Sequence, residues 1–202
     1  MKLIIESPNI DDYLAEIPPI ITFNTPMISQ EIEWIKEQTS NPEKQARIAF
    51  EIARDDIFHS FDTKNPLVTI NAEDVLKSSE GICFSKSHLL VALLRGLSIP
   101  AGFCYQRVLR VPTDENSGFA LHGLNAIYLR EYGWFRVDPR GNKPGVNSQF
   151  SIEPEQLAYT IHPHLGEVDY PTVYAKPLDS VIQSMQESAT TQELFFNRPD
   201  SI

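Results

Sequence analysis

Cys83 stands in Gly81-Ile82-Cys83-Phe84-Ser85-Lys86-Ser87-His88, and the apolar run Leu89-Leu90-Val91-Ala92-Leu93-Leu94 follows it, ending in Arg95-Gly96-Leu97. The pattern predicts a buried helix with the thiol in its first turn, a glycine ahead of it for backbone room, and Ser78 and Ser79 as candidate caps. Backbone N–H groups and the dipole at a helix N-terminus favour an anion, so a thiol of ordinary pKa about 8.5 is drawn toward the thiolate. Cys83 is therefore a candidate nucleophile. A lone cysteine on an apolar helix is otherwise a packing residue. The chemistry depends on a base that takes and returns a proton and on a group that fixes that base in one tautomer.

Geometry sorts the five histidines. His88 follows Cys83 by five positions on the same helix, a rotation of roughly 140° at 3.6 residues per turn, and points elsewhere. His59, and His162 and His164 around Pro163, fall in segments that read as loops. His122 opens an alternating strand and shares a face with Leu124, Ala126 and Tyr128, which makes it the preferred base. Asp138, immediately before Pro139, ends the following strand with the same parity. A hairpin centred on residue 130 would set Asp138 opposite His122, whereas Gly133 favours a turn nearer residue 132 and sets it opposite Ala126; both registers stay open. The oxyanion of an acyl-transfer step would take the Cys83 backbone N–H, with Gln106, Asn65 and His59 as candidates for a second donor or for substrate contact.

The elements that must position these residues are largely legible. Lys2 to Ile5 and Ile20 to Phe23 are strand-like, separated by Pro18-Pro19, and read as an extended arm. A helical pattern begins at Ser29, with Ile32, Trp34 and Ile35 on one stripe. Asn41 and Pro42 open a second amphipathic helix whose apolar residues Ala46, Ile48, Ala49, Ile52, Ala53 and Ile57 recur at spacings of three and four. His59 to Pro66 reads as loop, and Asn71 to Leu76 as a short helical turn before the cysteine helix, which Gly96 and Ile99-Pro100 terminate. Phe103 to Val111, Leu121 to Leu129 and Trp134 to Asp138 then predict three antiparallel strands. The rest is rich in loops, with a helix from Leu178 to Glu187 and a frayed end over residues 190–202.

Gly-x-Cys at the head of that helix, the helix end Leu94-Arg95-Gly96-Leu97-Ser98-Ile99-Pro100-Ala101-Gly102, a later histidine opening a strand, and Trp134-Phe135-Arg136-Val137-Asp138-Pro139 together resemble the transglutaminase-like superfamily. The resemblance runs from about Ala46 to Lys143 and includes Ala53-Arg54-Asp55-Asp56-Ile57. It implies an α+β, papain-like core in which Cys83 is the nucleophile, His122 its base and Asp138 the orienting partner. It departs after the histidine, where members often carry an aromatic and this chain has Gly123-Leu124-Asn125.

With 202 residues, 42% hydrophobic, the chain suits one domain: a core of about 29–145, an N-terminal arm 1–28 and a loop-rich C-terminal extension 146–202. Twenty-seven acidic against 17 basic residues, net charge -10, repel nucleic acid and anionic lipid. The N-terminus carries no secretory pattern and no stretch has the length of a membrane span, which places the chain in the cytoplasm. Two cysteines suit a reducing compartment; Cys104 reads as a core residue, with a resolving thiol as its alternative. His162 and His164 lack compact ligand spacing with Cys83, so neither metal nor cofactor is called for. The expected function is cysteine-dependent hydrolysis of a peptide, protein or small amide, with transfer to an amine, or a non-catalytic binding module, as alternatives.

Overall fold

The computed structural model describes residues 1–202. Its elements run β1 (Ile4–Ile5), α1 (Pro26–Gln38), α2 (Pro42–Glu51), β2 (Phe58–His59), α3 (Ser60–Thr63), α4 (Ala72–Ser78), β3 (Glu80–Gly81), α5 (Cys83–Gly96), β4 (Ala101–Leu109), β5 (Phe119–Leu129), β6 (Gly133–Val137), β7 (Val168–Asp169), β8 (Thr172–Val173), α6 (Asp179–Glu187) and α7 (Thr191–Asn197). No helix is long and apolar enough to cross a membrane.

Helix α5 is buried from Cys83 to Arg95. Transfer of its Leu89, Leu90, Leu93 and Leu94 side chains from water contributes about 1.5–3 kcal/mol each, which is why a helix without a polar face sits at the centre of the fold. One side of it meets α1, α2 and α4, and the other meets the sheet. Gly96 lets α1 come close, since a Cβ there would lie 2.2 Å from Ile32 Cδ1. The sheet has four strands in the order β6-β5-β4-β7, one more than the sequence pattern shows, because β7 is only two residues long. Phe103, Tyr105, Leu121, Ile127, Phe135 and Val137 pack toward α5. Cys104, Leu124 and Ala126 occupy the opposite face beneath Tyr13, Val173 and Ala175. The architecture is α+β, with the cysteine helix packed on an antiparallel sheet.

Several local expectations are corrected. Helix α1 begins at Pro26 rather than Ser29, and Trp34 is exposed. The second amphipathic stretch is regular only to Glu51; Asn41 Oδ1 accepts from Lys44 N–H at 3.0 Å as its cap, and the backbone then widens into a π turn over Ile52–Asp56. At this turn the buried Lys86 ammonium donates to Arg54 O at 3.1 Å and to Ile57 O. Part of the expected loop His59 to Pro66 is α3. Ser78 and Ser79 close α4 instead of capping α5: Ser78 Oγ donates to Asp74 O, and Ser79 is left-handed at φ 53°. The arm contributes a single short strand, β1, paired in parallel with β8, and Ile20 to Phe23 forms no strand. The C-terminal residues 190–202 are not frayed: α7 opens on Thr190, whose Oγ1 accepts from Glu193 N–H, and Phe195 packs edge-on against Phe61.

Candidate active site

Cys83 is the first residue of α5, and the helix enters without a side-chain cap on its N-cap residue Ile82. Its first-turn N–H groups are thus left for a negative charge beside the thiol. Gly123 lets this end of the helix touch β5, because a Cβ there would lie 2.7 Å from Phe84 Cδ1. The position after His122, which departs from the family pattern, is the place where the Phe84 ring lies against the strand.

The β5–β6 ladder pairs Asn125 with Val137 through Leu129 with Gly133, which centres the hairpin on Glu131, between the two registers the spacing allowed. Asp138 therefore falls beyond the last pair, across from Leu124, and meets His122 on the diagonal. The His122 Nε2 to Asp138 Oδ2 distance is 2.8 Å. Asp138 is fully buried and saturated, its Oδ1 accepting from Arg140 N–H at 3.1 Å and its Oδ2 also from Ala158 N–H at 3.0 Å. With Nε2 committed to the carboxylate, Nδ1 is the ring nitrogen left for Cys83, and the tautomer follows from that division. Tyr159 stands edge-on to the ring at 4.8 Å and is held by Arg140, which also forks onto Asp62.

Charge placement favours the charged forms of Cys83 and His122. Burial alone would raise the Cys83 thiol, but the adjacent His122 charge and hydrogen bond, the Arg198 guanidinium and the Gly123 N–H outweigh it and bring the pKa below the ordinary value. Burial opposes a charged His122, yet Asp138 and Cys83 lift it well above 6.5. Cys104 is the contrast: burial, with the Asp169 and Glu155 charges opposing that of Arg136, pushes it up to about 12.

The remaining candidates divide. His59, paired through β2 with Gly81 of β3, is buried with Nδ1 unpartnered. Burial first, then the charges of Arg140, Lys86, His122 and Arg198, hold it well below 6.5, so it is a neutral ring within reach of the His122 charge. Gln106 is opposite His122 on β4 and shares its face of the sheet; its amide donates to Asp169 at 3.3 Å, and with Arg136, Glu155 and Tyr159 it lines a depression of about 430 Å³. Asn65 is a turn residue: its Oδ1 accepts from Leu67 N–H, and its backbone carbonyl accepts from Thr191 Oγ1. His88 bonds Ile70 O from the α5 face, and His162 and His164 belong to a surface turn.

The approach to Cys83 is covered. Cys83 is 2% exposed, and Arg198, stacked over Phe61 and Phe195, is a cation whose charge acts on it. Sequence reasoning missed this residue. The Thr190-Thr191-Gln192-Glu193 stretch, a capping box before Leu194-Phe195, was the signal that a helix would carry the C-terminal residues back to the core.

A model of the family described as the transglutaminase-like superfamily matches residues 28–139. Comparison with curated proteins gives no match. Among solved structures, the fold is similar to that of a candidate cysteine protease from Cytophaga hutchinsonii, with a TM-score of 0.51 and 17% identity over 66% of this chain and 43% of that one. A weaker likeness, with a TM-score of 0.46 and 16% identity over 63% of this chain and 46% of that one, is to the periplasmic domain of TgpA from Pseudomonas aeruginosa bound to ethylmercury. The chain spans less than half the length of these structures.

Proposed function

The chain belongs to the transglutaminase-like superfamily, and from that premise we propose that it is a cysteine-dependent acyl hydrolase that cleaves an amide through a thioester. The observation that carries this reading is the His122–Asp138 contact at 2.8 Å, which leaves the other ring nitrogen for a Cys83 thiol of lowered pKa.

In the proposed sequence, the Cys83 thiolate attacks the amide carbonyl carbon and the carbonyl π pair moves to oxygen. The Cys83 backbone N–H stabilises that oxyanion, and the neutral His59 ring is the candidate second donor. His122, protonated and aligned by Asp138, gives its proton to the departing amine as the C–N bond breaks. The neutral imidazole then takes a proton from water, whose oxygen attacks the thioester, and the thiolate leaves. An amine in place of that water would give transfer instead of hydrolysis by the same steps. Unpaired thiols at positions 83 and 104 fit a reducing compartment such as the cytoplasm, and the net charge of -10 disfavours nucleic-acid partners.

The burial of Cys83 favours a second reading, a binding module on the same fold. Replacement of Cys83 by alanine separates them: with folding intact by circular dichroism, the enzyme reading expects both amide turnover and iodoacetamide labelling to vanish. Turnover retained in that variant refutes it.

A further inference from the structure

The edge of β5 changes partner midway. Strand β6 pairs with it from Asn125 onward, and upstream of that point the C-terminal segment takes over: Leu121 N–H donates to Pro199 O at 2.6 Å. In an antiparallel strand alternate N–H groups point to the same side, so Gly123 N–H shares this edge, and Gly123 lies against Phe84, the residue that follows Cys83, a Cβ there falling 3.5 Å from Phe84 Cα. Thus one line of main-chain donors carries a carbonyl of the chain itself at Leu121 and the nucleophile at Gly123, about 6.8 Å further along at 3.4 Å per residue.

Two arginines of β4 and its end hold the occupant there. Arg107 Nε donates to Asp200 O at 3.0 Å and its Nη1 to Gly166 O at 2.7 Å. Arg110 donates to Phe195 O at 2.6 Å and to Arg198 O at 3.2 Å. Three of these four bonds end on backbone carbonyls of the C-terminal segment, at Phe195, Arg198 and Asp200, so the segment is gripped by its main chain rather than by its side chains. Arg198 has no carboxylate partner, unlike Arg136, which binds Glu155 and Asp169, and Arg140, which binds Asp62. Its guanidinium lies over the Phe61 and Phe195 rings, near enough for its charge to act on the thiol.

We propose that the β5 edge from Leu121 to Gly123 is the docking line for a polypeptide substrate in extended conformation, and that Arg198 to Asp200 occupy this line in the resting enzyme. The inference rests on Cys83 being the nucleophile, and it narrows the substrate class. A peptide carbonyl replacing that of Pro199 would lie two residues from the carbonyl presented to Cys83, a spacing that a main chain provides and a small amide does not. Substrate binding and opening are then one exchange, the incoming strand replacing the chain's own.

The test uses the full-length chain and the double variant Arg107→Gln/Arg110→Gln, which loosens the grip without touching Cys83, His122, Asp138 or His59. Loss of charge-assisted bonds of this kind should raise the rate of Cys83 alkylation by iodoacetamide at pH 7 about tenfold or more, with Cys104 unlabelled as the sign that the fold is intact. Denatured casein should slow the accelerated labelling, and N-acetylglycinamide at equal amide concentration should not. An unchanged rate in the folded variant overturns the closure, and equal protection by both compounds overturns the extended-peptide assignment. Should Cys104 become labelled, the single variant Arg107→Gln replaces the double one with the same criteria. Alkylation across pH 5 to 9 keeps the two readings apart: acceleration with an ordinary thiol profile refutes the enzyme and leaves the closure standing. A low-pH profile without acceleration does the reverse.

Discussion

His122 meets Asp138 across the diagonal of the β5–β6 hairpin, 2.8 Å apart although neither is the other's cross-strand partner. The contact is made just where the β6 ladder ends, so the strand edge beside His122 is open to the helix that brings Cys83.

Replacing Asp138 by asparagine keeps the size of the side chain and removes its charge. His122, raised by that carboxylate, should lose its proton at lower pH, and the Cys83 thiol should move back toward the ordinary range near 8.5. We expect kcat/KM to fall by about 10² to 10⁴ and the alkylation midpoint of Cys83 to rise. An unmoved midpoint would show that Asp138 does not set the charge of the pair.

The same pair fixes the pH dependence. Thiolate and imidazolium coexist above the lowered Cys83 pKa and below the raised His122 pKa. Turnover should therefore rise with pH through the first value and decline through the second, both belonging to the coupled pair and not to either residue. Measurement of kcat/KM against pH decides this: a single rise near 8.5 with no later decline is the contrary result.

Gly123→Ala should damage packing and chemistry together, because the added carbon lies 2.7 Å from Phe84 Cδ1. Overpacking of this kind costs about 1–3 kcal/mol, read from the urea midpoint. Combining it with Phe84→Leu, which withdraws the ring, should recover most of that loss. Additive losses in the double variant would place the strain elsewhere.

Burial lowers the Lys86 ammonium from 10.5 to about 7. Between those values the unfolded chain binds a proton that the folded chain has released, so this group makes stability rise with pH from about 7 toward 10. Lys86→Met should remove that slope while leaving the Arg54 and Ile57 carbonyls unpaired, at about 1–3 kcal/mol each. Urea titrations of both proteins across this pH range provide the check.

The helix of Cys83 and the strands of His122 and Asp138 were legible because period and burial coincide there: an apolar run too long for a strand, then alternation. The register was not, since the glycine at position 133, φ 75°, marks the end of the turn and not its middle. The π turn at Ile52–Asp56 keeps its apolar residues at helical spacing, so its widening leaves no trace in the pattern, and the Lys86 that bonds its Arg54 carbonyl is distant in sequence. Strand β7 is too short to show alternation, and α7 was hidden by its polar composition despite its capping box. The closure over Cys83 joins residues almost eighty positions apart in sequence, Leu121 and Pro199, and no local pattern encodes such a pair.

Lys86 lies one turn along from Cys83 and draws in the carbonyls of the π turn that leads directly to His59. Cys83 and the neutral His59 imidazole are thereby fastened to the helical layer, while His122 and Asp138 belong to the hairpin of the other layer. Sliding of one layer over the other changes the sulfur-to-imidazole spacing without disturbing either half. The spacing works as a caliper between the layers, and compression of the interior would register there before it altered any single element.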